Sequence, residues 1–245
     1  MQIDLNCDMG ESMLTDEAIM PFISSANIAC GYHAGNADTI KRTIDLCLQH
    51  NVMTGAHPSF SDTENFGRKE MNISDEELYE LMMQQLFIIK NIADTAGATL
   101  SHIKPHGALY NMAAKNQQMA KTIANAVYEF DPTLLLYGLS GSYLITEANN
   151  TGLKTANEVF ADRRYQDDGS LTPRSSANAL IEDTTLAIQQ ALLMATENKV
   201  VSVHGKIISL KADTICIHGD GPHAVAFAKT IYQKFSEAGI RIKHL

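Results

Sequence analysis

The 245-residue chain has no run of like charges and few basic residues, with 19 Lys and Arg against 28 Asp and Glu. A net charge of −9 leaves no basic stripe to follow a phosphate backbone, so no nucleic-acid partner is expected. No apolar run approaches the ~20 residues that span a bilayer, and the first residues have no basic leader followed by an apolar segment. We therefore expect a cytoplasmic protein without a membrane partner.

The chain also has few cysteines and no Cys-x-x-Cys pair. Its four cysteines, Cys7, Cys30, Cys47 and Cys216, are scattered, which argues against a zinc knuckle or a disulfide framework and favours reduced, mostly buried thiols. A Walker-type phosphate-binding sequence is missing, and the glycine-containing segment 138–143 lacks the lysine and helix context of such a loop. If ATP is used, it is held in another way or by another chain.

Hydrophobic residues make up 45% of the chain, which is enough to form the core of a single domain spanning residues 1–245. Short apolar runs alternate with helical patterns, and this alternation predicts a parallel sheet with right-handed crossovers. Seven or eight such units in a chain of this length favour a closed β/α barrel of the TIM type over an open doubly wound sheet. The predicted strands lie at 2–6, 25–30, 51–56, 98–103, 133–139, 153–161 and 213–219.

Helix boundaries are visible at two long amphipathic segments. Ser74 and Glu77 form a predicted capping box, and the apolar repeat that follows them ends at Gly97. The last helix is predicted to start at Pro222 and to end at Gly239. The other predicted elements are helices over 37–50, 116–130 and 177–197 and a hairpin over 199–210, inserted before the last strand.

Nearly all side chains capable of acid–base chemistry follow a predicted strand. In a β/α barrel the loops after the strands meet at one rim and form the active site. Six strands deliver such residues, which is more than the ordinary polarity of loops explains. They are Asp8 and Glu11 after the first strand, His33 after the second, His57 after the third, Lys104, His106 and Tyr110 after the fourth, Asp162, Arg163, Arg164 and Tyr165 after the sixth, and His218 and Asp220 after the seventh. We predict that they line one cavity.

Each motif taken alone also has a structural interpretation. The carboxylates of Asp8 and Glu11 could turn the chain and cap a helix. Asp220 and Pro222 resemble an N-cap followed by a first-turn proline, so this pair could do no more than start the last helix. A single histidine at a strand end is more often hydrogen-bonded structure than a ligand. The prediction of a site therefore depends on the whole set of residues.

The segment HIKPHGALYN, residues 102–111, carries the densest group of candidate side chains. In a regular strand His102 and Lys104 share one face, whereas His106 stands beyond the strand end and can reach the rim. His106 is therefore preferred over His102 as a site residue.

A divalent metal is an open alternative at the predicted rim. Asp8, His33 and His57 could supply one oxygen and two imidazole nitrogens and leave an open position for water. These three residues come from separate loops, so their spacing does not establish a metal site.

Six segments taken together resemble the LamB/YcsF family. They are DLNCDMGES, SANIACGYHAGN, GAHPSFSDTENFGRK, HIKPHGALYN, EVFADRRYQDDGSLTPR and ICIHGD, and they run in family order from residue 4 to residue 220. The resemblance implies a distorted β/α barrel of the glycoside hydrolase/deacetylase type. It also implies ATP-dependent hydrolysis of 5-oxo-L-proline to L-glutamate with two companion subunits, B and C. ATP would be a co-substrate, bound with Mg²⁺ or by a partner subunit, and no tightly bound cofactor is evident.

Opening a lactam requires a cation for the substrate carboxylate, a base for water and donors for the developing negative charge. An arginine fork suits the first of these roles. The hypothesis assigns carboxylate binding to Arg163 or Arg174, the base to His106 or Asp8, charge stabilisation to Lys104 with His33 or His57, and further substrate contacts to Glu11, Tyr110, Asp162 and His218.

Two other functions stay open at this level. The first is a metal-dependent deacetylase or amidohydrolase that acts alone, which the implied fold and Asp8, His33 and His57 allow. The second is a non-catalytic binding or regulatory subunit. Metal content of the purified chain would favour the former, and activity that appears only on mixing with companion subunits would separate the latter from a catalytic subunit.

Overall fold

The computed structural model describes residues 1–13, 15–219 and 223–245 of the chain. Seven of its parallel strands close into a barrel, in the order β1-β2-β3-β4-β5-β6-β9, and β9 pairs again with β1. The predicted closed barrel is confirmed. The described strands are β1 (Gln2–Met9), β2 (Ser25–Ala29), β3 (Met53–His57), β4 (Leu100–Ile103), β5 (Leu135–Leu139), β6 (Lys154–Phe160), β7 (Lys199–Val201), β8 (Ile207–Ser209), β9 (Thr214–Ile217) and β10 (Arg241–Ile242).

Helices follow the barrel strands, as parallel pairing requires. A 3₁₀ turn, Met20–Phe22, follows directly after the first helix, Asp16–Ile19. Within the described ranges the helices are α1 (Asp16–Ile19), α2 (Ala37–His50), α3 (Asp75–Ala96), α4 (Gly107–Lys115), α5 (Gln117–Phe130), α6 (Tyr143–Thr151), α7 (Thr184–Glu197) and α8 (Ala224–Glu237). No helix in the described part of the chain is long and apolar enough to cross a membrane.

Local capping explains the helix boundaries that the sequence predicts well. The Asn36 side chain accepts a hydrogen bond from the Thr39 amide at 3.0 Å and starts α2 at the predicted residue. Both bonds of the Ser74–Glu77 capping box are present, and α3 ends at Gly97 in the left-handed region, with a φ of 75°. The antiparallel hairpin of β7 and β8 is also confirmed.

The predicted helix over 177–197 is wrong at its start, because α7 begins only at Thr184. The Asp183 side chain accepts hydrogen bonds from the amides of Thr185 and Leu186 and fixes this start. Upstream, the chain is held in irregular structure by an isolated bridge between Arg163 and Leu180. The predicted helix start at Asp220 and Pro222 lies outside the described residues.

Several short elements were not predicted, among them α4, α6 and β10. The helices α4 and α6 have nine residues each, and α4 begins inside the polar segment 102–111, which lacks a clear apolar repeat. The strand β10 has two residues, and it pairs in parallel with the first residues of β1 outside the closed ring of strands. These elements are too short for periodicity to detect.

The barrel interior is polar, in contrast to the apolar layer between strands and helices. At its lower end the buried Asp4 carboxylate accepts hydrogen bonds from Ser24 at 2.6 Å, Ser25 at 2.7 Å, Thr214 at 2.6 Å and Tyr137 at 3.1 Å. Four donors therefore satisfy the hydrogen-bonding capacity of this buried side chain. A column of bonded polar side chains therefore runs up the barrel toward its carboxyl end.

His102 is a member of this column and is not a rim residue. Its Nε2 lies 2.8 Å from Asn27 Oδ1, and its ring stacks on Tyr137 with centroids 4.3 Å apart. Gly55 on the neighbouring strand makes room for the ring, because a Cβ at that position would overlap the imidazole. The preference for His106 over His102 as a site residue agrees with this placement.

Candidate active site

A cavity of about 560 Å³ opens at the carboxyl ends of the barrel strands. Most of the predicted site residues that the structure describes line it: Asp8, Glu11, His57, Lys104, His106, Tyr110, Arg163, Arg174 and His218. The predicted rim residues outside the lining are His33, Asp162, Arg164 and Tyr165. The four cysteines are buried, and their thiols are free.

A buried ion pair forms the floor of this cavity. Lys104 follows β4, and its Nζ lies 2.9 Å from Asp8 Oδ1 and 2.8 Å from Glu158 Oε1. Burial alone would lower the pKa of Lys104, but the Asp8 and Glu158 carboxylates raise it well above its ordinary value. The lysine is only 2% exposed, and its ammonium remains charged.

Asp8 lies near the end of β1 with one oxygen held from below. Its Oδ1 accepts from Lys104 and, at 2.8 Å, from Asn27 Nδ2, while Oδ2 faces His57 Nε2 at 3.4 Å. Burial alone would raise the pKa of Asp8, but His57 and Lys104 bring it well below its ordinary value. Asp8 is thus a carboxylate at neutral pH, and 13% of its side chain is exposed.

Two imidazoles meet beside Asp8. His57 at the end of β3 places its Nδ1 2.7 Å from the Lys104 carbonyl oxygen. His106 places its Nε2 2.9 Å from the Phe66 carbonyl oxygen, and its Nδ1 lies 2.9 Å from His57 Nε2. Burial and the two neighbouring histidines, His57 and His33, lower the pKa of His106 well below its ordinary value.

His33 lies behind His106. The two rings stack with centroids 3.9 Å apart and an interplanar angle of 5°. His33 Nε2 lies 3.2 Å from Glu11 Oε1, and its Nδ1 lies 2.8 Å from Ser59 Oγ. His33 therefore orients its neighbours and does not face the cavity.

The structure groups a different set of donor atoms from Asp8, His33 and His57, the set considered from the sequence. The side chains that could hold an ion together are Asp8, Glu11, His57 and His106, whose donor atoms all lie within 4.8 Å of one another. His33 is replaced because its ring nitrogens are directed to Glu11 and Ser59.

Two arginines that follow β6 also line the cavity. Arg163, after β6, is buried and donates from Nη2 to the Thr172 carbonyl oxygen at 2.7 Å. Burial and the neighbouring Arg174 lower the pKa of Arg163 to about 10, so it is still charged at neutral pH. Arg174 donates from Nη2 to His218 Nε2 at 2.7 Å, and His218 Nδ1 lies 2.8 Å from Asp162 Oδ2. Asp162 therefore contributes to the cavity through His218.

Glu158 is a site residue that the sequence patterns did not reveal. It is an acidic residue within the apolar run of β6, and such a break in a buried strand was the available signal. Its carboxylate pairs with Lys104. Burial is the largest cause that raises the pKa of the Tyr110 phenol well above its ordinary value, and the Glu158 carboxylate is the next largest. Tyr165, expected at the rim, is buried, and its hydroxyl accepts from the Phe160 amide at 2.8 Å.

Acidification should destabilise the fold through the buried histidines. Burial, with Lys104 nearby, lowers the pKa of His102 to about 3, whereas an unfolded histidine titrates near ~6.5. Unfolding then takes up a proton between these values, and the unfolding free energy should fall by about 1.4 kcal/mol per pH unit below 6.5. His33 and His106 act in the same direction.

Urea denaturation between pH 7.5 and 5 measures this slope. The exposed His204 provides a matched control, because His204→Gln should leave the slope unchanged. An unfolding free energy that stays constant over this interval would contradict a neutral His102 in the folded chain.

The fold and the rim together define a β/α-barrel protein with a small-molecule site of the kind that enzymes of this architecture carry. A model of the LamB/YcsF family matches residues 3–245, and the chain belongs to this family. The predicted family is thereby confirmed.

Individual relatives agree with this membership. A relative from Tolumonas auensis, named as one of the subunits of 5-oxoprolinase, is 51% identical over 247 residues, covering 99% of this chain and 98% of the relative. The crystal structure of a lactam utilization protein from Thermus thermophilus superposes with a TM-score of 0.93 at 39% identity and covers all of both chains.

A more distant likeness concerns the fold alone. The catalytic domain of a peptidoglycan N-acetylglucosamine deacetylase from Eubacterium rectale superposes with a TM-score of 0.53 at 12% identity, over 100% of this chain and 88% of that chain. Deacetylases therefore share the barrel architecture with this chain.

Proposed function

We propose that this chain is the lactam-opening subunit of an ATP-dependent 5-oxoprolinase, which hydrolyses 5-oxo-L-proline to L-glutamate. The observation that carries the proposal is the composition of one cavity, whose lining combines arginines with a carboxylate and imidazoles. The substrate has matching needs, because it carries a carboxylate and a ring amide that water must attack. The names of the Tolumonas auensis and Thermus thermophilus relatives support the same activity.

Arg174 is the proposed receptor for the substrate carboxylate. Its guanidinium is held over the cavity by His218, which is oriented in turn by Asp162. Arg163 also lines the cavity and has one donor, Nη2, engaged by the Thr172 carbonyl, so it adds positive charge beside Arg174. A planar guanidinium can bind a carboxylate through two parallel hydrogen bonds.

Asp8 is the proposed base that takes a proton from the attacking water. Its Oδ2 faces the cavity side, whereas both ring nitrogens of His106 are already within hydrogen-bond distance of Phe66 and His57. Lys104 keeps Asp8 ionised through the floor ion pair. This role replaces the direct charge stabilisation considered for Lys104, because its ammonium is engaged by two carboxylates.

ATP and the companion subunits B and C complete the proposal. A lactam is a stabilised amide, and phosphorylation of its oxygen would turn that oxygen into a leaving group. Water then adds to the ring carbon, and the ring C–N bond breaks as the nitrogen takes up a proton, which leaves an acyl phosphate of the opened chain. A second water hydrolyses this acyl phosphate to the carboxylate and free phosphate. The chain has no Walker-type sequence, so we place ATP binding on a companion subunit or at their interface.

The proposal predicts that the isolated chain is nearly inactive and that activity appears on mixing with subunits B and C. The assay is glutamate release that requires both ATP and 5-oxoproline. ATP-independent turnover by the isolated chain, or no turnover in the reconstituted mixture, would refute the assignment.

Arg174→Lys should raise the KM for 5-oxoproline about 10- to 100-fold in the reconstituted enzyme, with a smaller change in kcat. The estimate corresponds to the loss of a charge-assisted, bidentate hydrogen bond of about 1.5–3 kcal/mol. Arg42→Lys is the matched control, since Arg42 pairs with Glu17 on the surface and does not line the cavity. An unchanged KM in Arg174→Lys would remove Arg174 from the carboxylate site.

A further inference from the structure

The hydrogen bonds of His57 and His106 determine which of their nitrogens carry hydrogen. His57 Nδ1 and His106 Nε2 each face a backbone carbonyl oxygen, at 2.7 and 2.9 Å. A carbonyl oxygen can only accept, so both of these outer nitrogens must donate. In neutral imidazoles the inner nitrogens, His57 Nε2 and His106 Nδ1, are then both lone-pair acceptors.

These two acceptors face each other at 2.9 Å, a distance at which two lone pairs repel. A positive species must therefore lie between or beside them. Two carboxylate oxygens converge on the same point, because Asp8 Oδ2 lies 3.4 Å from His57 Nε2 and Glu11 Oε1 lies 3.6 Å from His106 Nδ1.

Three of the six donor separations are close to those of a coordination sphere, and all six lie within 4.8 Å. A tetrahedral ion with ligand bonds of about 2.0–2.1 Å has donor atoms about 3.3 Å apart. The three neighbouring separations here, 2.9, 3.4 and 3.6 Å, scatter around that value. A set of two imidazoles and two carboxylates suits zinc and related divalent ions.

Local charge points the same way. The carboxylates of Asp8, Glu11 and Glu158 are all largely withdrawn from solvent, and the ammonium of Lys104 lies against two of them. Buried charge without a counter-ion is costly, and a divalent cation would provide the missing positive charge.

We infer that His57 Nε2, His106 Nδ1, Asp8 Oδ2 and Glu11 Oε1 form a binding site for a divalent metal ion of the zinc type. The outer hydrogen bonds of the imidazoles to the carbonyls of Lys104 and Phe66 are the supporting contacts that metal-bound histidines commonly make. A bound ion would occupy Asp8 Oδ2, the oxygen proposed above as the base, so that base role belongs to the chain without the ion. The ion itself would supply polarisation of water at the site. The inference rests on proton placement and geometry and does not depend on the proposed lactam chemistry.

Metal binding to the full chain tests this inference. The chain is treated with a chelator, dialysed and titrated with ZnCl₂ in a calorimeter, with metal content checked by mass spectrometry. We expect about one Zn²⁺ per chain and a higher Tm in its presence. Substituted Co²⁺ should give visible absorption typical of a four- or five-coordinate nitrogen and oxygen site.

Glu11→Gln and His106→Asn should each weaken Zn²⁺ binding by at least about 100-fold, the upper end of the effect of removing a supporting contact. Glu11→Gln is the conservative variant if His106→Asn folds poorly. His204→Asn is the matched control for adventitious binding to a surface histidine. His204 is exposed, pairs with Asp167 and is not one of the four ligands.

Two results would overturn the inference. One is a wild-type chain that takes up neither Zn²⁺ nor Co²⁺ with a defined stoichiometry, which would mean that the two imidazoles share a proton. The other is Zn²⁺ uptake that persists at full strength in Glu11→Gln and His106→Asn but falls in His204→Asn.

Discussion

Lys104→Met is expected to lower the unfolding free energy by about 3–5 kcal/mol, the usual cost of removing one partner from a buried ion pair. Methionine keeps the length and apolar character of the lysine stem but removes the charge that Asp8 and Glu158 both contact. Both carboxylates would then lie inside the barrel without their counter-ion. Urea denaturation monitored by circular dichroism measures the loss.

A second substitution tests the cause. Lys104→Met combined with Glu158→Gln removes one of the uncompensated charges while keeping the shape, so part of the lost stability should return. Lys90→Met is the matched control, because Lys90 and Asp94 form an exposed pair on α3 that is worth at most about 1 kcal/mol. A Lys104→Met chain as stable as the wild type would show that the floor of the cavity tolerates unpaired carboxylates.

The sequence alone places Lys104 among the residues that stabilise charge in the reaction. The structure adds a contribution to the fold, since its ammonium is buried between two carboxylates from other strands. One of them, Glu158, lies 54 residues after Lys104 in the sequence. Such a pairing depends on barrel closure, which no local pattern encodes.

Elements with local signals were predictable. The capping box at Ser74 and Glu77 and the left-handed Gly97 fix α3 through contacts within a few residues. The barrel strands were predictable because strands buried on both faces form short continuous apolar runs between helices. The rim followed from connectivity, because every parallel strand presents its carboxyl end to the same side.

The grouping of side chains within the rim was not predictable. Glu11 and His106 join Asp8 and His57, while His33 turns away to stack on His106. All five residues follow strands in the same sense, so sequence position does not distinguish them. The difference arises from hydrogen bonds to distant partners, such as Phe66 for His106 and Ser59 for His33.

The polar interior of the barrel connects the buried Asp4 carboxylate with the side chains at the rim. The column that starts at Asp4 continues through Asn6 and Asn27 to the Asp8 carboxylate. Each member fixes the orientation of the next, so the rim carboxylate is held by a rigid network and not by a mobile loop. This arrangement is what a base requires, because a small misplacement of the proton acceptor costs rate.

Asp8→Asn should therefore reduce kcat of the reconstituted enzyme by about 10²–10⁴, the range typical of general acid–base catalysis. Asparagine has nearly the same shape and can still accept hydrogen bonds from Lys104 and Asn27 through one oxygen, so the fold should persist with a lower Tm. It cannot take a proton from water, and the second position would carry an amide in place of the oxygen that faces His57. Rates of 5-oxoproline-dependent glutamate release, measured with saturating ATP, give the effect.

Asp16→Asn is the matched control for this substitution. Asp16 is a nearby carboxylate whose Oδ2 accepts from the Gly10 amide at 2.8 Å, but it does not line the cavity. It should share any general loss of stability near β1 while keeping most of the turnover. If Asp8→Asn retains wild-type kcat, or if Asp16→Asn loses activity to the same extent at equal Tm, then Asp8 is not the base.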